Sequence, residues 1–211
     1  MSRQKSIVTV FVLALSSAAL WATQTETKLD DRAIRAYLDQ IHAQWGMMNV
    51  PRADGEFLHD FIVEHGYRRG LEIGTANGYS AIWMGMALRK TGGKLITIEI
   101  DSRRVALARQ NFARVGLHDV IELRHGDALE IIPQLQGPFD FVFIDAWKED
   151  YVKYFQLVYP KVQRGGAILA HNVLSRSRGI EDFLEAIQNH PHLETRIERR
   201  SRAGISVSLK H

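Results

Sequence analysis

From Gly70 to the C-terminus, short apolar segments alternate with amphipathic ones, and this alternation restricts the fold more than any other feature of the sequence. Short apolar runs bounded by turn residues are typical of buried strands, and apolar residues spaced three and four apart are typical of helices. Strands are predicted over residues 70–73, 94–100, 120–124, 139–144, 167–170, 195–198 and 205–209. Helices are predicted over residues 34–45, 55–65, 79–89, 102–115, 151–162 and 180–188, with a short one through 131–132. The repeated β–α order predicts an α/β fold with a seven-stranded, mostly parallel sheet flanked by helices.

Polar and turn residues follow several of the predicted strands. In a parallel sheet covered on both faces, ligands bind beyond the carboxyl ends of the strands. Gly74, Glu99, Asp145 and His171 each fall at or just after such an end. The chemistry of the chain is therefore expected at that edge of the sheet.

The segment from Leu71 to Ser80, Leu-Glu-Ile-Gly-Thr-Ala-Asn-Gly-Tyr-Ser, has the pattern of a strand, a glycine turn and a helix. Gly74 and Gly78 would let the backbone approach a ligand closely, and the start of the helix would attract negative charge. The G-x-x-x-G spacing differs from the G-x-G-x-x-G of dinucleotide dehydrogenases. Glu99, at the end of the next strand, is placed to accept hydrogen bonds from ribose hydroxyls. These features predict a site for a nucleotide-like cofactor.

A second set of polar residues follows the fourth and fifth strands: Asp145 and Lys148 after one, His171 and Asn172 after the other. A carboxylate, an imidazole and an amide oxygen on neighbouring strand ends could hold a divalent cation. Taken singly, Asp145 also suits a helix N-cap and Lys148 a solvated first helical turn. A metal site is one hypothesis for this group.

Composition excludes several classes of protein. The chain has 211 residues, enough for one α/β domain, and no cysteine, which excludes disulfides, thiolate metal sites and a cysteine nucleophile. Its net charge of +3 includes Arg3 and Lys5; without them 25 of the 27 basic residues remain against 24 acidic ones. A nucleic-acid partner is therefore not expected.

The N-terminus has a different character. Arg3 and Lys5 precede an apolar run from Ile7 to Ala22, which resembles a secretory signal or a short membrane anchor. Residues 1–22 are predicted to be that segment, 23–28 a linker and 29–211 the globular domain. The protein is accordingly expected to be exported or membrane-anchored, or cytoplasmic if the segment is not processed. A buried N-terminal helix is the alternative.

Taken together, the motifs resemble those of the metal-dependent, catechol-type O-methyltransferases, which include the animal catechol enzyme, the plant caffeoyl-CoA enzymes and bacterial relatives. The resemblance runs from about Trp45 to the C-terminus. It rests on Met-Asn-Val-Pro from Met48, the glycine-turn segment, Ile-Glu-Ile-Asp from Ile98, Gly-Asp-Ala from Gly126, Phe-Ile-Asp-Ala-Trp-Lys-Glu-Asp-Tyr from Phe143 and His-Asn-Val from His171. It implies a Rossmann-like class I methyltransferase fold, S-adenosylmethionine as cofactor, and a small phenolic or catechol acceptor.

The resemblance also implies roles for individual residues. For the cofactor, Glu72 would hold the amino group, Ser80 the carboxylate and Glu99 the ribose, with Asp127 near the adenine. The remaining cofactor positions include Gly74, Gly78 and Asp145. Trp147 would line the pocket, and Met48, Asn49 and Val50 would close over the methyl donor. Lys148 matches the catalytic base, and Asp145 and Asn172 match metal ligands.

One position departs from the family pattern. The family usually has Asp-Asn where this chain has His171 and Asn172. As a third ligand, a neutral imidazole would shift the preference from Mg²⁺ toward Mn²⁺, Fe²⁺, Co²⁺ or Zn²⁺. His171 could instead be the general base of a metal-free enzyme, or support the ligands without touching the metal. A cofactor-binding protein without turnover is a further alternative, and a monomer and a homodimer are equally compatible with the sequence.

Overall fold

The computed structural model of the protein describes residues 29–45 and 49–211. The predicted signal or anchor at 1–22, the linker at 23–28 and Met48 lie outside the described residues. Among the described helices, none has the length and apolar character needed to cross a bilayer.

Helices and strands alternate through the described residues as the sequence predicts. The helices are α1 Asp31–Trp45, α2 Arg52–Glu64, α3 Tyr79–Thr91, α4 Ser102–Arg114, α5 Ala128–Gln134, α6 Tyr151–Val158 and α7 Arg178–Gln188. The strands are β1 Arg69–Ile73, β2 Lys94–Glu99, β3 Ile121–His125, β4 Phe139–Ile144, β5 Val162–His171, β6 Leu193–Glu198 and β7 Ile205–Lys210. Short 3₁₀ turns at Lys148–Asp150 and Tyr159–Lys161 flank α6.

The strands form one sheet in the order β3-β2-β1-β4-β5-β7-β6. All neighbouring pairs are parallel except those of β7, which runs antiparallel to both β5 and β6. The predicted Rossmann-like, mostly parallel sheet is thus confirmed. The strand order reverses between β1 and β4, and such a reversal leaves a crevice at the carboxyl ends of the strands.

Two apolar layers cover the sheet, and β4 contributes to both. Phe141 and Phe143 pack in the layer with α1 to α4, whereas Val142 and Ile144 pack in the layer with α5 to α7. Successive side chains of a strand point to opposite faces, so a strand covered on both sides is apolar throughout. This double burial explains why β4 is apolar from Phe141 to Ile144 and makes it a rigid support for the residues that follow it.

Several predicted boundaries were wrong by a few residues, including the following three. The helix predicted at 151–162 ends at Val158, because Pro160 lacks an amide hydrogen and disfavours helical geometry in the preceding residue. Strand β5 begins at Val162 rather than at residue 167. Its first half is polar and contains two glycines, so it lacks the apolar run from which a strand is predicted. Helix α2 begins at Arg52 rather than 55, which places Asp54 in its first turn.

Candidate active site

A cavity of about 1020 Å³ opens at the carboxyl edge of the sheet, beside the reversal between β1 and β4. Most of the predicted site residues line it: Asn49, Val50, Gly74, Ser80, Glu99, Asp127, Asp145, Trp147, His171 and Asn172. Glu72, Gly78 and Lys148 are not part of the lining and support it from behind. The strand ends do meet around one cavity, as expected. The role of each residue stays a prediction.

The two glycines of the turn after β1 serve different contacts. Gly74 has a φ of 96°, and a Cβ on it would lie 2.2 Å from the carbonyl oxygen of Asp145. Gly78 has a φ of 88°, and a Cβ there would lie 2.4 Å from the ring of Phe112. Both positions therefore need glycine for the packing of the chain itself. Only Gly74 also faces the cavity.

Gly74→Ala is expected to lower the free energy of unfolding by about 2–4 kcal/mol, from the left-handed backbone and the overlap with the Asp145 carbonyl. Gly66→Ala is the matched control, because Gly66 has a φ of 63° but no atom within 4 Å of the place that a Cβ would take. The control should lose only about 1 kcal/mol. Urea unfolding of the two variants measures the difference, and equal losses would contradict the argument.

Backbone amides hold the carboxylate of Glu99 at the end of β2. Its Oε2 accepts from the amide of Ala76 at 2.8 Å, and its Oε1 accepts from the amide of Asp101 at 2.9 Å. The residue is 5% exposed and lines the cavity. Each oxygen keeps a further lone pair, so Glu99 can still accept two hydrogen bonds from a ligand.

Glu72 lies directly behind the cavity wall and is fully buried. Ser80 and Thr97 each donate a hydroxyl hydrogen bond of 2.5 Å to its carboxylate. Burial raises the pKa of Glu72 to about 8, against the opposing effect of these two hydrogen bonds. Ser80 lines the cavity and its hydroxyl hydrogen bonds to Glu72, while its part in binding a cofactor carboxylate stays a prediction.

Five residues of the cavity wall carry buried polar atoms with no hydrogen-bond partner in the described part of the chain. These atoms are His42 Nδ1, Asn49 Oδ1, Asn77 Nδ2, the Tyr79 hydroxyl and His171 Nδ1. Buried polar groups are nearly always hydrogen-bonded in folded proteins, so these atoms are candidates for contact with a polar ligand. Asn49 and His171 were predicted site residues, and the other three were not.

The opposite end of the cavity combines a helix cap with two exposed apolar side chains. Asp127 caps α5 by accepting from the Leu129 amide at 2.8 Å and also lines the cavity. Ile100 and Trp147 line it as well, although they are 66% and 69% exposed. Apolar surface left open at a cavity mouth suits a flat aromatic ligand. Trp147 was predicted here and Ile100 was not.

Lys148 is held behind Asp145 by three acceptors. Its Nζ donates to Asp145 Oδ1 at 2.9 Å, to the Ala146 carbonyl at 3.1 Å and to the Tyr151 hydroxyl at 2.8 Å. Burial alone would raise the pKa of Asp145, but the contacts of its carboxylate with His171 and Lys148 outweigh burial and lower the pKa to about 2. The predicted base thus contacts a cavity-lining carboxylate at the end of β4.

His171, the last residue of β5, lies between two carboxylates. Its Nε2 is 2.9 Å from Asp54 Oδ2, and its Nδ1 is 3.3 Å from Asp145 Oδ2, an ion-pair distance without hydrogen-bond alignment. Burial would lower the pKa of His171, but Asp145 and Asp54 together raise it to about 9. Sequence patterns missed Asp54, which lies 117 positions before its partner.

The residues implied as metal ligands, Asp145, His171 and Asn172, line the same part of the cavity. Among residues 29–45 and 49–211, no group of three His, Cys, Asp or Glu side chains converges as metal ligands do. Asp145 Oδ1 accepts from Lys148, and Nε2 of His171 lies 2.9 Å from Asp54, whereas Nδ1 has no hydrogen-bond partner in the described residues. Asn172 has a left-handed φ of 59°. The metal site therefore stays a prediction.

Comparison with known proteins is consistent with this geometry. Residues 26–205 match the family described as O-methyltransferase. The catechol O-methyltransferase of Niastella koreensis is 37% identical over 157 residues, 72% of this chain and 71% of that protein. The catechol O-methyltransferase of Mycobacterium tuberculosis is 35% identical over 189 residues, 83% of this chain and 86% of that protein.

A solved structure shares both the architecture and part of the sequence. The O-methyltransferase from Bacillus cereus, in complex with SAH, matches with a TM-score of 0.75 and 29% identity. The match covers 88% of this chain and 94% of that one. The similarity therefore extends over most of both chains.

Proposed function

The chain belongs to the O-methyltransferase family, as its motifs predicted, and from this premise we propose that it transfers the methyl group of S-adenosylmethionine to a phenolic hydroxyl of a small, catechol-like acceptor. One observation carries the proposal. A single cavity joins the glycine turn and Glu99 to the ends of β4 and β5, where Asp145, His171 and Asn172 lie. A bound donor and a bound acceptor would thus share one enclosed space.

The cofactor is proposed to lie along the glycine turn. Glu99 would accept hydrogen bonds from the ribose hydroxyls, and the adenine would lie between Ile100 and Trp147, near Asp127. The amino-acid end would reach Ser80 and the unpartnered polar atoms of Asn49, Asn77 and Tyr79. Satisfying buried polar atoms that otherwise lack partners would favour binding.

The proposed reaction is an in-line displacement at the methyl group. The phenolic oxygen forms the new C–O bond while the methyl–sulfur bond breaks, and the sulfonium leaves as a neutral thioether. The phenol proton passes to Lys148 in its neutral form, after the acceptor oxygen displaces one of the present partners of Nζ. Positioning of donor and acceptor within attack distance supplies the rest of the rate enhancement.

Glu99→Gln is expected to weaken binding of S-adenosylhomocysteine by about tenfold to a hundredfold, because hydrogen bonds from a ribose to a charged carboxylate are lost. Glu122→Gln on the neighbouring strand is the control, since Glu122 is 55% exposed and contacts Arg124. Calorimetric titration of both variants measures the effect. Unchanged affinity in Glu99→Gln would place the ribose elsewhere.

The proposed function is tested by incubating the full chain with S-adenosylmethionine and a panel of catechols and monohydroxylated phenols. Mass spectrometry should show a gain of one methyl group on the acceptor oxygen. Cofactor binding without methylation of any phenol would contradict the proposed acceptor class and favour the non-catalytic alternative. Absence of cofactor binding would contradict the proposed site itself.

A further inference from the structure

The loop between β6 and β7 brings an arginine to the cavity. Strand β7 runs antiparallel to β5 with Ile205 opposite His171, so the loop of residues 199–204 lies at the same edge of the sheet as the carboxyl end of β5. Arg202 and Ala203 of this loop line the cavity. The sequence motifs did not point to either residue, and the proposed methyl transfer assigns neither of them a role.

The backbone around Arg202 is held from two sides. The Ser201 hydroxyl donates to the buried carboxylate of Asp54 in α2 at 2.6 Å and accepts from the amide of Ala203 at 3.1 Å. On the other side, the carbonyl of Ala203 accepts from the amide of Leu174, in the loop after β5, at 2.9 Å. The side chain of Arg202 therefore starts from a fixed place beside the cavity.

The guanidinium of Arg202 has no partner in the described part of the chain, where its side chain enters no ion pair and no hydrogen bond. The neighbouring Arg200, in contrast, pairs with Glu198 at 4.0 Å and lies over the ring of Phe57. An unpaired arginine on an open surface is simply solvated. Arg202 differs because it lines the cavity, so its five N–H donors are available to a ligand there.

The strand order separates Arg202 from the proposed cofactor site. The glycine turn and Glu99 follow β1 and β2, whereas the loop of residues 199–204 lies on the other side of β4 and β5. Neighbouring strands lie about 4.8 Å apart, so the start of β7 is about 10 Å from the end of β4. An acceptor whose hydroxyl lies beside Lys148 would therefore turn the opposite side of its ring toward Arg202.

The two loops on this side of the cavity carry only positive charge. Residues 172–177 and 199–204 contain no acidic residue but four arginines, Arg176, Arg199, Arg200 and Arg202. Asp145, which lines the cavity at the end of β4, already faces Lys148 Nζ at 2.9 Å. Clefts lined by one sign of charge concentrate ligands of the opposite sign, and a planar guanidinium pairs with a carboxylate through two parallel hydrogen bonds. This side of the cavity therefore suits a carboxylate.

We infer that Arg202 binds a carboxylate of the acceptor, so that this chain methylates small phenolic acids in preference to neutral or cationic phenols. The inference rests on the proposed methyl transfer and defines its acceptor class more closely. Arg202 contacts a part of the acceptor that does not react, and this contact is the same before and during the transfer. Such an interaction lowers KM and leaves kcat unchanged.

The test compares dihydrocaffeate with its neutral amide, which has the same catechol ring, in assays of the full chain with S-adenosylmethionine and Mg²⁺. The wild type should show a KM for the acid about tenfold below that for the amide. Arg202→Gln should abolish this difference by raising the KM of the acid alone, with kcat unchanged, and Arg202→Lys should recover part of it because the charge is kept. Arg199→Gln is the matched control, since Arg199 is an exposed residue of the same loop that does not line the cavity.

Calorimetric titration of dihydrocaffeate into the chain saturated with S-adenosylhomocysteine gives a measurement that needs no turnover. Affinity about tenfold weaker in Arg202→Gln supports the inference even if no phenol is methylated and the proposed function fails. Equal affinity and equal KM of the wild type for the acid and the amide would overturn the inference and leave the proposed methyl transfer intact. A loss of S-adenosylhomocysteine binding in Arg202→Gln would also overturn it, because Arg202 would then bind the cofactor.

Discussion

Lys148→Met is expected to lower kcat for phenol methylation by about 10²- to 10⁴-fold, the usual contribution of a general base. Methionine has a similar length but cannot take a proton. Lys148 contacts Asp145, Ala146 and Tyr151 at the end of β4 and not the residues proposed to hold the cofactor along the glycine turn. Binding of S-adenosylhomocysteine should therefore be unchanged, so that steady-state rates and calorimetry together assign the loss to the chemical step.

Two further variants separate a base from a charge that merely holds Asp145 in place. Lys148→Arg keeps the charge and the bond to the carboxylate but does not release a proton at neutral pH. It should be as inactive as Lys148→Met if Lys148 is the base, and nearly as active as the wild type if Lys148 only positions Asp145. Lys153→Met, at a side chain 63% exposed that pairs with Asp150, should leave the rate unchanged.

The sheet and the position of the site could be predicted because their signals are local. Phe139–Ile144 is apolar except at Asp140, since both of its faces are covered. The glycine turn after β1 needs left-handed backbone at Gly74 and Gly78, which only glycine supplies cheaply. In a parallel sheet, these two facts already place Asp145 beside the turn.

The start of α2 and the partner of His171 could not be predicted for a related reason. Gly55 was predicted to begin the helix, but it lies inside α2. Glycine is needed there because a Cβ would lie 2.4 Å from the ring of Trp83. That error left Asp54 outside the helix. An acidic residue in a first helical turn is common in any case, so only the folding of α2 onto the end of β5 reveals its partner.

The sequence also left open which role the histidine and the carboxylate at the strand ends perform. The same residues could ligate a cation or neutralise each other, and the sequence does not contain the distances that decide between the two. In the structure Nε2 of His171 lies 2.9 Å from Asp54, whereas Nδ1, 3.3 Å from Asp145, has no hydrogen-bond partner in the described residues. The choice depends on one buried contact between distant parts of the chain.

The stability of the fold should fall between about pH 6.5 and pH 9 through the titration of His171. The pKa of His171 is about 9 in the folded chain, against an ordinary value of 6.5. The folded state therefore holds the proton more tightly than the unfolded state does. This stabilisation is complete below the unfolded value and is lost as the pH rises through the folded one. At about 1.36 kcal/mol per pKa unit, it amounts to about 3 kcal/mol.

The double variant Asp54→Asn/His171→Gln isolates this effect, because it removes the imidazole together with its buried partner and keeps Glu72. Burial raises the pKa of Glu72 to about 8, so its contribution also decreases with pH, but it is present in both proteins and cancels in their difference. Urea unfolding across the pH range should show the wild type losing about 3 kcal/mol relative to the variant. Parallel curves would mean that His171 does not hold an additional proton in the folded chain and would contradict this prediction.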